Sequence, residues 1–88
     1  MNTERIEKMR TLLEQAFEPA SLEIQDQSHL HAGHAGARDG KGHFQINITA
    51  DAFTGKPLIK RHRLVYEALD DMLETDIHAL IIHASPPE

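Results

Sequence analysis

The side chains in this 88-residue chain with the most chemistry to offer are its histidines, since neutral imidazole is the commonest metal-ligating group among side chains. Three of them cluster in Ser28-His29-Leu30-His31-Ala32-Gly33-His34, spaced i,i+2 and i,i+3 on a glycine-bearing backbone that can fold around an ion. His43 closes the far end of the same stretch, and a solitary His78 stands downstream in Asp76-Ile77-His78-Ala79-Leu80. With seven His and no Cys, the chain can coordinate iron, zinc, nickel or copper only through nitrogen and oxygen. If the loop and His78 converge, they make half of a metal site, and the other half must come from elsewhere. Taken singly, each also fits a plainer role: the loop as a solvated polar connection, His78 as a strand-start residue bonded to neighbouring backbone.

The second concentration of chemistry is Lys60-Arg61-His62-Arg63, the densest positive charge in a chain of net charge -5. On a helix, Lys60 and Arg63 fall on the wet face, where Arg63 reaches Glu67 four residues on. Together with Lys56 they could contact phosphate or an acidic partner, but the acidic balance argues against a strong duplex-DNA binder, which needs clustered cations to release counterions. Standard catalytic sets are missing. There is no Cys nucleophile, no Ser elbow, no glycine-rich phosphate loop and no His-Glu-x-x-His, so an enzyme is not expected. Absence of Cys excludes disulfides and fits a reducing compartment. No apolar h-region follows the N-terminus and no run is long enough to span a bilayer, so the expectation is a soluble, cytoplasmic protein.

These residues must be positioned by a small number of elements, because a chain of this length supports one domain, here 1–88. Ile6, Met9, Leu12, Leu13, Ala16 and Phe17 recur in threes and fours and predict a first helix, capped at Asn2 or Thr3 and stopped at Glu18-Pro19, where the residue before proline favours extended geometry. The period changes to two at Leu22 and Ile24, a first strand. Residues 28–42 are dominated by Gly, His and Ala with no apolar period and read as a flexible loop. Phe44, Ile46 and Ile48 alternate with Gln45, Asn47 and Thr49, a strand buried on one face. After a turn at 51–57, Leu58, Val65, Ala68, Leu69 and Met72 share a helix face, and Ala79-Leu80-Ile81-Ile82 forms a last strand. His78 is in phase with Leu80 and Ile82 there, and His83 is expected on the opposite face. Helix, strand, strand, helix, strand in so few residues predicts an α+β two-layer sandwich with the helices on one face of a three-stranded sheet.

Read together, these pieces resemble the BolA family. The resemblance rests on Ser28-His29-Leu30-His31-Ala32-Gly33-His34, Gly42-His43-Phe44, Phe53-Thr54-Gly55, Arg61-His62-Arg63-Leu64-Val65-Tyr66 and Ile77-His78-Ala79-Leu80, which run in family order across nearly the whole chain. It implies a three-stranded mixed sheet of the type II KH-like kind. It also implies an adaptor that pairs with a monothiol glutaredoxin and shares a bridging 2Fe-2S cluster in iron-sulfur trafficking and iron regulation. The glutaredoxin would contribute its cysteine and a bound glutathione a second thiolate. His78 and one loop histidine, His31 by family position with His34 as runner-up, would supply the other two ligands, a Rieske-like set. No cofactor is then expected in the isolated chain, which would be a monomer or weak homodimer, and cluster retention should weaken as pH falls through the histidine range. The alternative implied by the same family is a transcriptional regulator that binds DNA weakly through Lys56, Lys60, Arg61 and Arg63, although Phe53-Thr54-Gly55-Lys56 holds one Gly where KH recognition uses a GXXG clamp.

Overall fold

The computed structural model describes residues 2–27 and 42–87. Helix α1 spans Asn2–Phe17, strand β1 Ser21–Asp26 and strand β2 Gly42–Thr49. A 3₁₀ turn at Asp51–Phe53 leads to α2, Leu58–Ala68, a short α3, Asp70–Leu73, and β3, Ile77–Ser85. The sheet order is β1-β2-β3, with β1 antiparallel and β3 parallel to β2. The parallel pair requires a crossover, and α2 and α3 supply it across one face of the sheet. The architecture is therefore the expected α+β sandwich on a three-stranded mixed sheet.

The core forms where the inward phases of the strands meet the helices. Phe44, Ile46 and Ile48 of β2 are buried with Ile24, Ile82 and Ala84 from the flanking strands and Met9, Leu13, Val65, Leu69 and Met72 from the helices. Phe53, fully buried, projects from the 3₁₀ turn against Phe17, with ring centroids 5.1 Å apart. This contact pins the turn to the end of α1, and truncating such an aromatic typically costs about 3–5 kcal/mol. Gly55 follows at φ 75°, a left-handed conformation that glycine adopts without strain.

Four local expectations fail for identifiable reasons. Glu18 terminates α1 not in extended geometry but at φ 45°, donating its N–H to Glu14 C=O at 3.0 Å, so the helix ends in a left-handed cap occupied by a non-glycine residue. Ala16 lies on the exposed side of α1, outside the stripe of Met9 and Leu13, and Leu58 is 63% exposed because the buried stripe of the crossover helix begins only at Leu64 and Val65. The single helix foreseen from Leu58 to Met72 divides at Leu69. Last, β3 does not keep one phase: Ile77 is in the core, yet farther along Leu80, Ile82 and Ala84 pack there, so the inward parity changes across His78 and Ala79. The cause is a register shift in which Gly42 pairs with Ile77 and His43 with Ala79, a bulge at His78. His78 is thus exposed instead of sharing the inward phase of Leu80 and Ile82, and His83, also exposed, lies across from Asn47 on the uncovered face.

Candidate metal-ligand site

The bulge sets His78 beside His43. Their ring centroids are 5.0 Å apart with planes inclined at 56°, His78 exposed and His43 only 5% exposed. His43 lies on β2 between Gly42 and Phe44, on the face opposite the Phe44 ring. Gly42 has its own requirement, since a Cβ there would run into the Phe44 ring. A side chain at 42 would push Phe44 or the strand end aside and move His43 with it.

A hydrogen-bonded frame holds this end of the sheet. Gly42 N–H donates to Asp76 C=O at 2.9 Å, and Asp76 N–H donates to Met72 C=O at 2.9 Å. Arg5 Nε on α1 donates to Asp76 Oδ1 at 3.1 Å, and Thr75 Oγ1 donates to Asp76 Oδ2 at 2.9 Å. Asp76 therefore ties α1, α3 and β2 together two residues before His78. Partial burial works against the charge of its carboxylate, but the hydrogen bonds from Thr75 and Arg5 and the positive charges of Arg5 and Lys8 outweigh it and hold the group below its ordinary value.

His29, His31 and His34 lie outside the described residues, but the two points where their segment joins the sheet do not. Gln27 N–H donates to His43 C=O at 2.8 Å, and Gly42 begins β2 directly before His43. Both ends of segment 28–41 therefore meet the sheet at His43, the residue whose ring adjoins His78. Among the described residues no group of three potential ligands comes together. The pair His43 and His78 can present two imidazoles at most, so the described donors amount to part of a coordination sphere. His43 is the ring beside His78 to which the sequence alone assigns no role. The signal was Gly42-His43-Phe44, where a histidine next to an alternating strand must share the face its odd-numbered neighbours occupy.

The basic residues divide into two sets. Lys56 Nζ donates to Ala52 C=O at 2.6 Å, while Arg61 donates through Nε to Lys56 C=O at 2.7 Å and through Nη1 to Ala84 C=O at 3.1 Å. Lys56 and Arg61 thus brace the turn and the end of β3. Lys60 and Arg63 are exposed, and Arg63 forms no pair with Glu67, contrary to the helical spacing.

A family model described as BolA-like protein matches residues 13–88. SufE-like protein 1, chloroplastic/mitochondrial, of Arabidopsis thaliana is 47% identical over 85 residues, covering 91% of this chain and 23% of that protein, so the chain spans only part of that relative's length. The DNA-binding transcriptional regulator BolA of Escherichia coli is 40% identical over 83 residues, covering 94% of this chain and 73% of the relative. Among solved structures, the BolA domain of SufE1 from Arabidopsis thaliana superimposes with a TM-score of 0.84 at 45% identity, covering 94% of this chain and 92% of that one. No described helix is long and apolar enough to cross a membrane.

Proposed function

The chain belongs to the BolA-like protein family, and from that premise we propose that it is an adaptor that shares a bridging 2Fe-2S cluster with a monothiol glutaredoxin. The cluster is cargo held between two proteins in iron-sulfur trafficking and iron regulation, in the reducing setting of the cytoplasm, and this chain is a carrier and not a catalyst. The observation that carries the reading is the exposed His78 on its bulge, ring to ring with His43, where both ends of the histidine-bearing segment meet the sheet.

The donor set fits such a group. Imidazole ligation of one iron leaves the other to thiolates, which a chain with no Cys cannot provide and a glutaredoxin with bound glutathione can. His78 is the constant ligand in this proposal. His31, four residues beyond Gln27, has a reach of at most roughly 14 Å from that anchor and is the preferred second ligand, with His34 next. His43 adds a third choice already in place beside His78, or a packing partner that orients the His78 ring. When bound, the cluster supplies one-electron redox chemistry at a potential raised by nitrogen ligation. This chain's own contribution would be to present two imidazoles at the end of the sheet where β2 and β3 begin.

The test is co-expression with a monothiol glutaredoxin and purification of the complex. The visible charge-transfer absorption of a protein-bound cluster is expected, and His78→Ala should change or abolish it while leaving the far-ultraviolet circular dichroism intact, since the side chain is exposed. A colourless complex, or one whose spectrum ignores His78→Ala, overturns the proposal.

A second reading has its own observation. The Escherichia coli relative is a DNA-binding transcriptional regulator, and Lys60 and Arg63 stand exposed on α2 here. With Lys56 and Arg61 partly committed to backbone carbonyls, few phosphate contacts remain, so any DNA affinity should be weak and steeply salt dependent. Binding that is lost in Lys60→Ala/Arg63→Ala would support it, and binding insensitive to salt would exclude it.

A further inference from the structure

Strand β3 lies at an edge of the sheet. Ser85 C=O accepts from Ala50 N–H at 3.1 Å and so faces the β2 side, whereas Ala84 C=O accepts from Arg61 Nη1 at 3.1 Å on the outer side. Successive strand residues turn their backbone groups to alternate sides, so the N–H and C=O of Leu80 and Ile82 point outward as well. No described strand pairs with them. An edge of this kind is a template for another strand, and natural proteins ordinarily blunt it. Here the blunting is local: Arg61 occupies the Ala84 carbonyl and stops there.

Helix α2 forms a wall along this edge. Leu58, Arg61 and His62 line a groove with residues 82–85 of β3. Tyr66 follows His62 at i+4 and continues the stripe toward the other end of the strand. The stripe is unusually apolar for an exposed face, with Leu58 63% and Tyr66 40% exposed, and Ile81, 47% exposed, stands on the opposite side of the same edge. Both sides of an added strand would therefore meet apolar surface.

We propose that the outer edge of β3 is a strand-addition site for an extended segment of a partner protein, one with alternating apolar side chains and acidic residues near the Ala84 end. Backbone groups of residues 80–82 would supply affinity, and the Leu58, His62 and Tyr66 stripe would select the apolar positions. Charge selects the occupant. The Arg61 guanidinium and the His62 ring line the groove at its Ala84 end, with no acidic side chain among its lining residues, which complements an acidic segment there. The proposal does not depend on the metal site, which lies at the other end of β3 around His78.

A blocked heptapeptide of alternating valine and glutamate, titrated into the full ¹⁵N-labelled chain, tests this directly. Slowed amide exchange at Leu80 and Ile82 and shift changes along β3 and α2 are expected. The same peptide N-methylated at the amides that would face β3 should bind about tenfold or more weakly, because it keeps the side chains and loses the ladder. Leu58→Glu, at an exposed position on α2, and His62→Glu, at a half-buried one, should weaken binding of the parent peptide, and replacing its glutamates with lysines should do the same. Equal binding of the N-methylated peptide, perturbation confined to residues away from β3, or no perturbation at millimolar peptide would each overturn the proposal. So would concentration-dependent protection of Leu80 and Ile82 without peptide, which would assign the edge to a second copy.

Discussion

Asp76 shows how much a single residue organises here: its backbone fixes Gly42 and Met72 while its carboxylate receives Arg5 and Thr75. Because its folded-state carboxyl is held below the ordinary value of 3.8, the stability it contributes is fully present above that value and is lost as pH falls through the folded one. Acid unfolding of the isolated chain should therefore be less steep below about pH 4 in Asp76→Asn, and the variant should be less stable at pH 7, both readable from chemical denaturation across pH. An unchanged acid limb would mean that the Arg5 pair contributes nothing in solution, as many part-exposed pairs do. The histidines divide differently between sequence and structure. His78 stood out as a lone histidine before an apolar run, but its neighbour His43 did not, because their contact is made by strand pairing and a bulge, which no local spacing encodes. The family resemblance pointed to His78 with His31 or His34. The loop histidines fall outside the described residues, so what the fold contributes is the place where their segment is anchored.

At the scale of elements, what was legible followed period and what was missed followed partners. Phe44, Ile46 and Ile48 announced β2 because alternation is decided within the strand. The bulge in β3, the exposure of Leu58 and the break at Leu69 depend on what lies opposite, so patterning alone placed Leu58 on the wrong face and His78 in the wrong phase. Glu18 is the sharpest case, since the proline rule predicted an extended residue and the helix instead closes through φ 45°. A non-glycine residue in that region carries strain of about 1 kcal/mol. Glu18→Gly should relieve it and stabilise the chain by about 0.5–1 kcal/mol, seen as a higher midpoint in thermal unfolding, whereas Gly55→Ala at φ 75° should cost a similar amount. Destabilisation by Glu18→Gly would show that the cap is held by contacts of the glutamate side chain.

Over the whole molecule, the sheet works as a ruler with different business at its two ends. The end where β2 and β3 begin carries His43, His78 and both attachment points of the histidine-bearing segment, framed by Asp76. The far end carries the basic start of α2 and the edge of β3 closed by Arg61. In the proposed complex, the cluster-sharing partner would dock at the His78 end, away from the Arg61 end of β3. The claim that this chain brings nitrogen ligands to a shared cluster is tested most directly by pulsed electron paramagnetic resonance on the reduced complex with a monothiol glutaredoxin, this chain alone carrying ¹⁵N-histidine. The account predicts strong ¹⁵N couplings from two imidazoles, one of which disappears in His78→Ala; a reduced cluster without imidazole couplings, ligated by thiolates only, would contradict it.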